Sequence, residues 1–233
     1  MLLSHLNRFI YTKTLKTAGT SVEIYFQDAC VPIGEYVSLS HHTEEMLTPA
    51  GIIGYRGPDL SGRTWYNHMS ATRIRALVGP ETWEAYYKFC VVRNPFDKLV
   101  SLWWFNINRD QQNPREKECF SRIRSDFSAW CTEHAVDAVD RDKYLIEGVV
   151  AIDYFIRYES LLAGLDSVCR RVGYPFRPER LGKYKGESRV ITEPFGDYYD
   201  RPAIAAVEAA FGWELEYFGY SRLSEAVSVS PSQ

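Results

Sequence analysis

No stretch of this 233-residue chain approaches the roughly 18 consecutive apolar residues that would suggest a membrane-spanning helix. The first residues run almost at once into Arg8–Thr12, which reads as a strand, and they lack the basic start, apolar run and cleavage site of a secretory signal. An excess of charge of one sign is missing too. The formal net charge is −3, so no global basic field points to nucleic acid. Any anion site is therefore expected to be built locally, from a few cations and backbone amides. The five cysteines (Cys30, Cys90, Cys119, Cys131 and Cys169) are odd in number and form no C-x-x-C pair, which favours buried free thiols over a disulfide framework. The five histidines lack metal-ligand spacing. Together these absences predict a cytoplasmic protein in a reduced compartment, with no structural metal, membrane span or nucleic-acid partner.

What is present fits one sizeable α/β domain over residues 1–227, followed by a polar tail, Ser228–Gln233, that reads as disordered. Aromatic residues make up 15% of the chain, with 16 Tyr and 6 Trp. Such side chains stack on flat ligands, and they fill cores equally well. After the first strand comes a polar turn, Lys13–Ser21, then a short helix carrying Val22, Tyr25 and Phe26 on one face. Residues 37–63, rich in Gly and Pro, read as an irregular excursion, and a helix over Ser70–Val78 ends at Gly79-Pro80. Tyr87–Val92 is a nearly continuous apolar run, as expected of a strand buried on both faces of a sheet. Asn94 and Pro95 then open a helix as N-cap and first residue, with Phe96, Leu99, Val100 and Trp103 on one face. A further helix groups Phe120, Ile123, Phe127, Trp130 and Cys131. A strand at Ile152–Tyr158, a helix at Leu161–Val172, a polar loop region at 174–201 and a helix near Ala203–Phe211 complete the pattern. Alternating strands and helices imply a central, mainly parallel sheet flanked by helices, which binds ligands beyond the carboxyl ends of its strands.

Two segments sit at such ends. In Lys13–Ser21 a turn of small residues leads into a helix, so backbone N–H groups and the helix dipole favour an anion. Lys16 adds a mobile charge, Thr17, Thr20 and Ser21 add hydroxyl donors, and Gly19 allows close approach of an oxyanion to the backbone. The Walker A pattern is absent, so Mg²⁺-ATP is not specifically indicated. An ordinary strand–helix turn with a capping Thr or Ser is the alternative. In the second segment Arg93 ends the buried strand, where its guanidinium is suited to grip a phosphate, and Ser101 lies on the following helix. Here the alternative is a strand-end arginine paired with an acid, beside a solvated serine.

Lys16-Thr-Ala-Gly-Thr-Ser21 resembles the 5′-phosphosulfate loop of sulfotransferases that use 3′-phosphoadenosine 5′-phosphosulfate (PAPS). Arg93-Asn-Pro, with Ser101 further along, resembles their 3′-phosphate-binding strand and helix. Val91–Ser101 is especially similar to the branch that includes Golgi carbohydrate sulfotransferases and bacterial relatives. Weaker similarity continues at Tyr158–Leu162, and from Tyr198-Tyr199 through Phe218-Gly-Tyr220. One departure is Leu15, where many members carry proline before the loop lysine, and it bears on the rigidity of the loop rather than its chemistry.

The resemblance implies a P-loop nucleotide-kinase-like sulfotransferase fold and a metal-free transfer of a sulfuryl group from PAPS to an acceptor hydroxyl, releasing PAP. A soluble bacterial-type member acting on a carbohydrate or glycolipid is the implied case. Lys16 would stand at the leaving oxygen, with Thr17, Ala18, Gly19, Thr20 and Ser21 around the phosphosulfate. Arg93 and Ser101 would hold the 3′-phosphate, and a late basic loop with Lys185 and Arg189 would close over it. His68, in Trp65-Tyr-Asn-His-Met-Ser70, resembles the base of glycan 2-O-sulfotransferases, and histidine suits that task because it titrates near neutrality. A capping or packing role is the alternative for His68. His41 and His42 read as solvent-facing, His134 as a surface residue at a helix end, and Glu23 and Glu159 as acids that nothing distinguishes from structural ones. A small-molecule kinase using ATP, and a non-catalytic module that binds PAPS or PAP, remain as rivals.

Overall fold

The computed structural model describes residues 1–40, 42–109, 118–182, 191 and 193–227. In chain order its strands and α-helices are β1 (Leu2–Ser4), β2 (Phe9–Tyr11), α1 (Gly19–Phe26), β3 (Met46–Thr48), β4 (Gly51–Ile53), α2 (Ala71–Val78), α3 (Pro80–Ala85), β5 (Tyr87–Val92), α4 (Pro95–Arg109), α5 (Phe120–His134), β6 (Leu145–Ile146), β7 (Val149–Val150), β8 (Tyr154–Arg157), α6 (Leu161–Val172), α7 (Arg201–Ala210), α8 (Gly212–Phe218) and α9 (Leu223–Val227). These residues gather into two compact units, Met1–Val92 with Asp140–Tyr184 and Arg93–Val139 with Lys185–Gln233.

The first unit is built on a six-stranded sheet of order β3-β4-β1-β2-β5-β8, and β6 and β7 form a separate two-stranded sheet. Period-two alternation assigns its faces. Phe9 and Tyr11 of β2 join Phe89 and Val91 of β5 in a cluster with Val22, Tyr25 and Phe26 of α1 and Leu165 and Val168 of α6. Ile10, between them, points the other way into a cluster with Ala71 and Ile74 of α2 and Trp83 of α3. Both faces are therefore covered, and β5 forms over the residues its apolar run predicted. The one charge in that run, Lys88, is buried but satisfied: its Nζ donates to the carbonyls of Trp83 (3.1 Å) and Tyr86 (2.8 Å) and lies 2.9 Å from the Asp153 carboxylate.

Strand direction departs from the expectation of a mainly parallel sheet. Only β2–β5 and β5–β8 run parallel, while β1–β2, β1–β4 and β3–β4 are antiparallel. For two of the antiparallel pairs the reason is local. Short turns join β1 to β2 and β3 to β4, and a hairpin can only be antiparallel. The same hairpins correct the reading of residues 37–63 as irregular throughout, since β3 and β4 extend the sheet from within that segment.

The second unit is helical among its described residues. Asn94 Oδ1 accepts the Phe96 N–H at 2.9 Å and caps α4, and Phe96, Leu99, Val100 and Trp103 are buried as the spacing predicted. They pack with Ile123, Phe127 and Cys131 of α5 and Ala203 and Val207 of α7. Tyr198 and Tyr199 are core residues here: the Tyr199 hydroxyl donates to the Phe96 carbonyl at 2.7 Å, and Trp104 Nε1 donates to the Tyr198 hydroxyl at 3.2 Å. The high aromatic content is thus largely core material in both units. Cys30, Cys90, Cys131 and Cys169 are buried free thiols, as expected, whereas Cys119 is free and exposed. The tail 228–233 lies outside the described residues. No helix among the described residues is long and apolar enough to cross a membrane.

Gly164 lets α6 close onto β8, because a Cβ there would overlap the Ile156 side chain. Ile156 is fully buried and β-branched, so it has no free rotamer to retreat into. Gly164→Ala is therefore expected to lower stability by about 1–3 kcal/mol despite the better helix propensity of alanine. Urea unfolding checks this, and an unchanged midpoint would show slack between α6 and β8.

Candidate functional site

In the first unit, β2 runs parallel to β5, and the chain continues past its carboxyl end with the Thr12 N–H donating to the Phe89 carbonyl at 3.1 Å. The Thr14 hydroxyl donates to the Val91 carbonyl and lies 2.8 Å from the Thr17 hydroxyl, which folds the turn back on itself. Lys16 (φ 56°) and Ala18 (φ 59°) adopt left-handed backbone conformations, while Thr17 between them does not. Such alternation is the backbone pattern in which successive N–H groups can face one side, as they do in anion-binding concavities. Ala18 is the N-cap of α1 and supplies no capping side chain, and no acid occupies the first turn. The helix entry is thus not served by the capping Thr or Ser of the alternative reading.

Five non-glycine residues among those described have positive φ: Arg8, Lys16, Ala18, His68 and Glu147. Arg8 lies in the β1–β2 hairpin turn, and Glu147, followed by Gly148, in the β6–β7 turn, where tight hairpins demand such angles. The other three are candidate site residues that no hairpin explains. Left-handed backbone costs a non-glycine residue about 1–3 kcal/mol and persists only where its surroundings enforce it.

Lys13 ties together the segments that carry these three residues. It is 5% exposed, and its Nζ lies 2.6 Å from Glu23 Oε2 and 3.3 Å from both Thr20 Oγ1 and Asn67 Oδ1. Glu23, fully buried on α1, also accepts from the Met1 amino group at 2.8 Å and lies 4.0 Å from Arg56 Nη1. Burial alone pushes the Glu23 pKa up, but Lys13, the amino group and Arg56 outweigh it and hold the carboxyl at about 2. Glu23 is thereby a structural acid. Gly19 gains a further role, because a Cβ there would lie 2.8 Å from Lys13 Cγ and 2.9 Å from Cε. Its missing side chain makes room for the lysine stem.

His68 stands at the edge of the same cluster. The Asn67 N–H donates to the Tyr55 carbonyl at 2.9 Å, Trp65 and Met69 are buried, and Ser70 caps α2 by accepting the Arg73 N–H at 3.3 Å. His68 therefore caps nothing. Its Nδ1 lies 3.1 Å from the Lys13 carbonyl oxygen. A carbonyl only accepts, so Nδ1 carries the proton and Nε2 holds the lone pair. Burial and the Lys13 charge push its pKa from the ordinary 6.5 down to about 3, which keeps the ring neutral near pH 7.

The remaining candidates are placed as follows. Thr17 and Ser21 are buried, and Thr20 is bonded to Lys13. Arg93 and Ser101 belong to the second unit, where the Arg93 guanidinium meets Asp97 Oδ2 through Nε at 2.8 Å and Nη2 at 2.7 Å. This is the acid-paired arrangement that the sequence left open. His42 bonds the Arg56 carbonyl through Nδ1 at 3.1 Å, and His134 in the last turn of α5 pairs with Asp137 at 3.0 Å. His41, Lys185 and Arg189 lie outside the described residues. Sequence reasoning missed Lys13, Asn67 and Asp140 as parts of the site. Lys13 and Asn67 adjoin residues it did select, but Asp140, whose Oδ2 accepts the Leu15 N–H at 2.8 Å, lies 125 positions from its partner and carries no local signal.

Among the described residues, no group of three or more His, Cys, Asp or Glu side chains is arranged to hold a metal ion. A scan against family models and searches of curated proteins and solved structures found no significant match to the chain.

Between pH 6.5 and about 3 the folded protein holds fewer protons at His68 than the unfolded chain, so stability rises with pH there. The contribution of neutral His68 is complete above 6.5 and is lost as pH falls toward about 3. His68→Asn tolerates the left-handed backbone and does not titrate. Its Tm is expected to depend less steeply on pH across this window, and an identical slope would place the His68 pKa near its ordinary value.

Proposed function

We propose that this protein is a sulfotransferase that moves the sulfuryl group of PAPS to an acceptor hydroxyl of a carbohydrate or glycolipid. The observation that carries this reading is the left-handed backbone at Lys16, Ala18 and His68, two in the anion loop and one bonded to its base through the Lys13 carbonyl. Strain of this kind clusters at functional sites, which supports the reading. The P-loop nucleotide-kinase-like sulfotransferase fold belongs to the same proposal, supported by the parallel trio β2-β5-β8 with the loop beyond β2.

In the proposed reaction the acceptor oxygen attacks sulfur in line while the bond from sulfur to the bridging phosphate oxygen breaks. Negative charge grows on the leaving phosphate of PAP, where Lys16 and the loop N–H groups neutralise it. The acceptor proton passes to His68 Nε2. A pKa of about 3 makes a weak base in the empty site. A bound phosphosulfate adds negative charge beside the cations that depress it and raises it toward the range where proton transfer is efficient. Thr17, Ala18, Gly19, Thr20 and Ser21 line the phosphosulfate, and Arg93 and Ser101 hold the 3′-phosphate, with Arg93 exchanging part of its bonding to Asp97 for the ligand. Lys185 and Arg189, outside the described residues, enter the proposal through the family resemblance alone. The cytoplasm is the proposed location.

Calorimetric titration with PAP, ADP and ATP, without metal, tests the reading. Selective PAP binding that weakens in Arg93→Ala is the expected result, and ATP binding as tight as PAP would favour a kinase. In a transfer assay from PAPS, Lys16→Ala and His68→Ala are each expected to lower turnover by about 10²-fold or more while PAP still binds. Near-normal turnover in His68→Ala would remove His68 as the base. Tight PAP binding without transfer to any acceptor would favour a sensing module.

A further inference from the structure

Leu15 and Lys16 are the central residues of the turn from Thr14 to Thr17, and only Lys16 is left-handed. That is the pattern of a type II turn, whose first central position favours proline because proline holds φ and has no N–H to satisfy. Leu15 offers neither advantage. Its N–H donates instead to Asp140 Oδ2 at 2.8 Å. Asp140 is 2% exposed and precedes a short 3₁₀ turn, Arg141–Lys143, in the position where an aspartate ordinarily caps with its own carboxylate. It makes no such cap. The side chain is directed to the loop, at the cost of burying a carboxylate.

We infer that Asp140 is a positioning residue for the loop: by holding the Leu15 N–H it fixes the turn that keeps Lys16 left-handed. This assignment rests on the loop being the phosphosulfate site, and it adds a residue from a distant part of the chain to that site's machinery. Asp140 touches no substrate in this account and acts through the Leu15 N–H.

The test uses the full chain, with hydrogen exchange at the Leu15 amide and titration with PAP, on wild type, D140A, D140N, L15P and L15P/D140A. In wild type the Leu15 amide is expected to be protected, and D140A to accelerate its exchange and weaken PAP binding by about tenfold each, as for loss of one charge-assisted hydrogen bond. D140N keeps an acceptor and is expected to keep most of the protection. L15P has no N–H to hold, so L15P/D140A is expected to bind PAP within about threefold of L15P, since removing both partners of a bond is nearly neutral. A double variant as weak as D140A, or unchanged Leu15 exchange in D140A, overturns the inference. If D140A does not fold, folding of L15P/D140A supports it and failure of both overturns it. If wild type binds no PAP, the functional reading fails separately, and the exchange rates of wild type and D140A still decide the role of Asp140.

Discussion

The Nζ of Lys13 meets Glu23 Oε2 at 2.6 Å in the interior of the first unit, and most of the candidate site is arranged around that contact. Burying both charges costs several kcal/mol for each ion, which their attraction offsets only when further hydrogen bonds complete the geometry. Thr20 and Asn67 complete it for the lysine and the Met1 amino group for the carboxylate, with the Arg56 charge 4.0 Å away. The consequences are concrete. With its ammonium anchored, the lysine stem crosses the entry of α1 and leaves room only for glycine at position 19, while its carbonyl sets the tautomer of His68. One ion pair thus shapes the loop from below and the imidazole from the side.

Strain and rigidity are complementary in this arrangement. Lys16, Ala18 and His68 occupy backbone conformations that a free chain avoids, and each is flanked by residues with fixed partners. Thr14 is tied to the Val91 carbonyl, Leu15 to Asp140, and His68 lies between Asn67, bonded to Tyr55, and buried Met69. A loop held in this way presents its amides without reorganising, the condition under which fixed dipoles act most strongly on an anion.

Much of the framework was legible from the residues alone. β5, α6 and the start of α4 fall where periodicity and capping placed them, because a buried run, a 3.6-residue stripe and an Asn-Pro entry are local properties. The turn between β2 and α1 was legible for the same reason, as small polar residues between a strand and a helix. Helix α1 was harder to read, since residues on nearly all its sides are buried and no single apolar stripe describes it. Strands β1, β3 and β4 escaped notice because each is only three residues long and lacks the apolar run that marked Arg8–Thr12; β1 pairs with β2 and β4, and β4 with β3, and that pairing creates them.

The sequence by itself determined the alternation of elements, the polar turn leading into a helix after the first strand, and His68 as the histidine beside a helix start. Only the tertiary structure decided that the sheet is mixed, that Glu23 is a buried anchor, and that Asp140 reaches Leu15. The physical reason is the range of the forces involved. Periodicity and caps act across one turn of chain, whereas a buried ion pair or a borrowed hydrogen bond exists only after folding brings distant residues together and removes the water that would otherwise satisfy them.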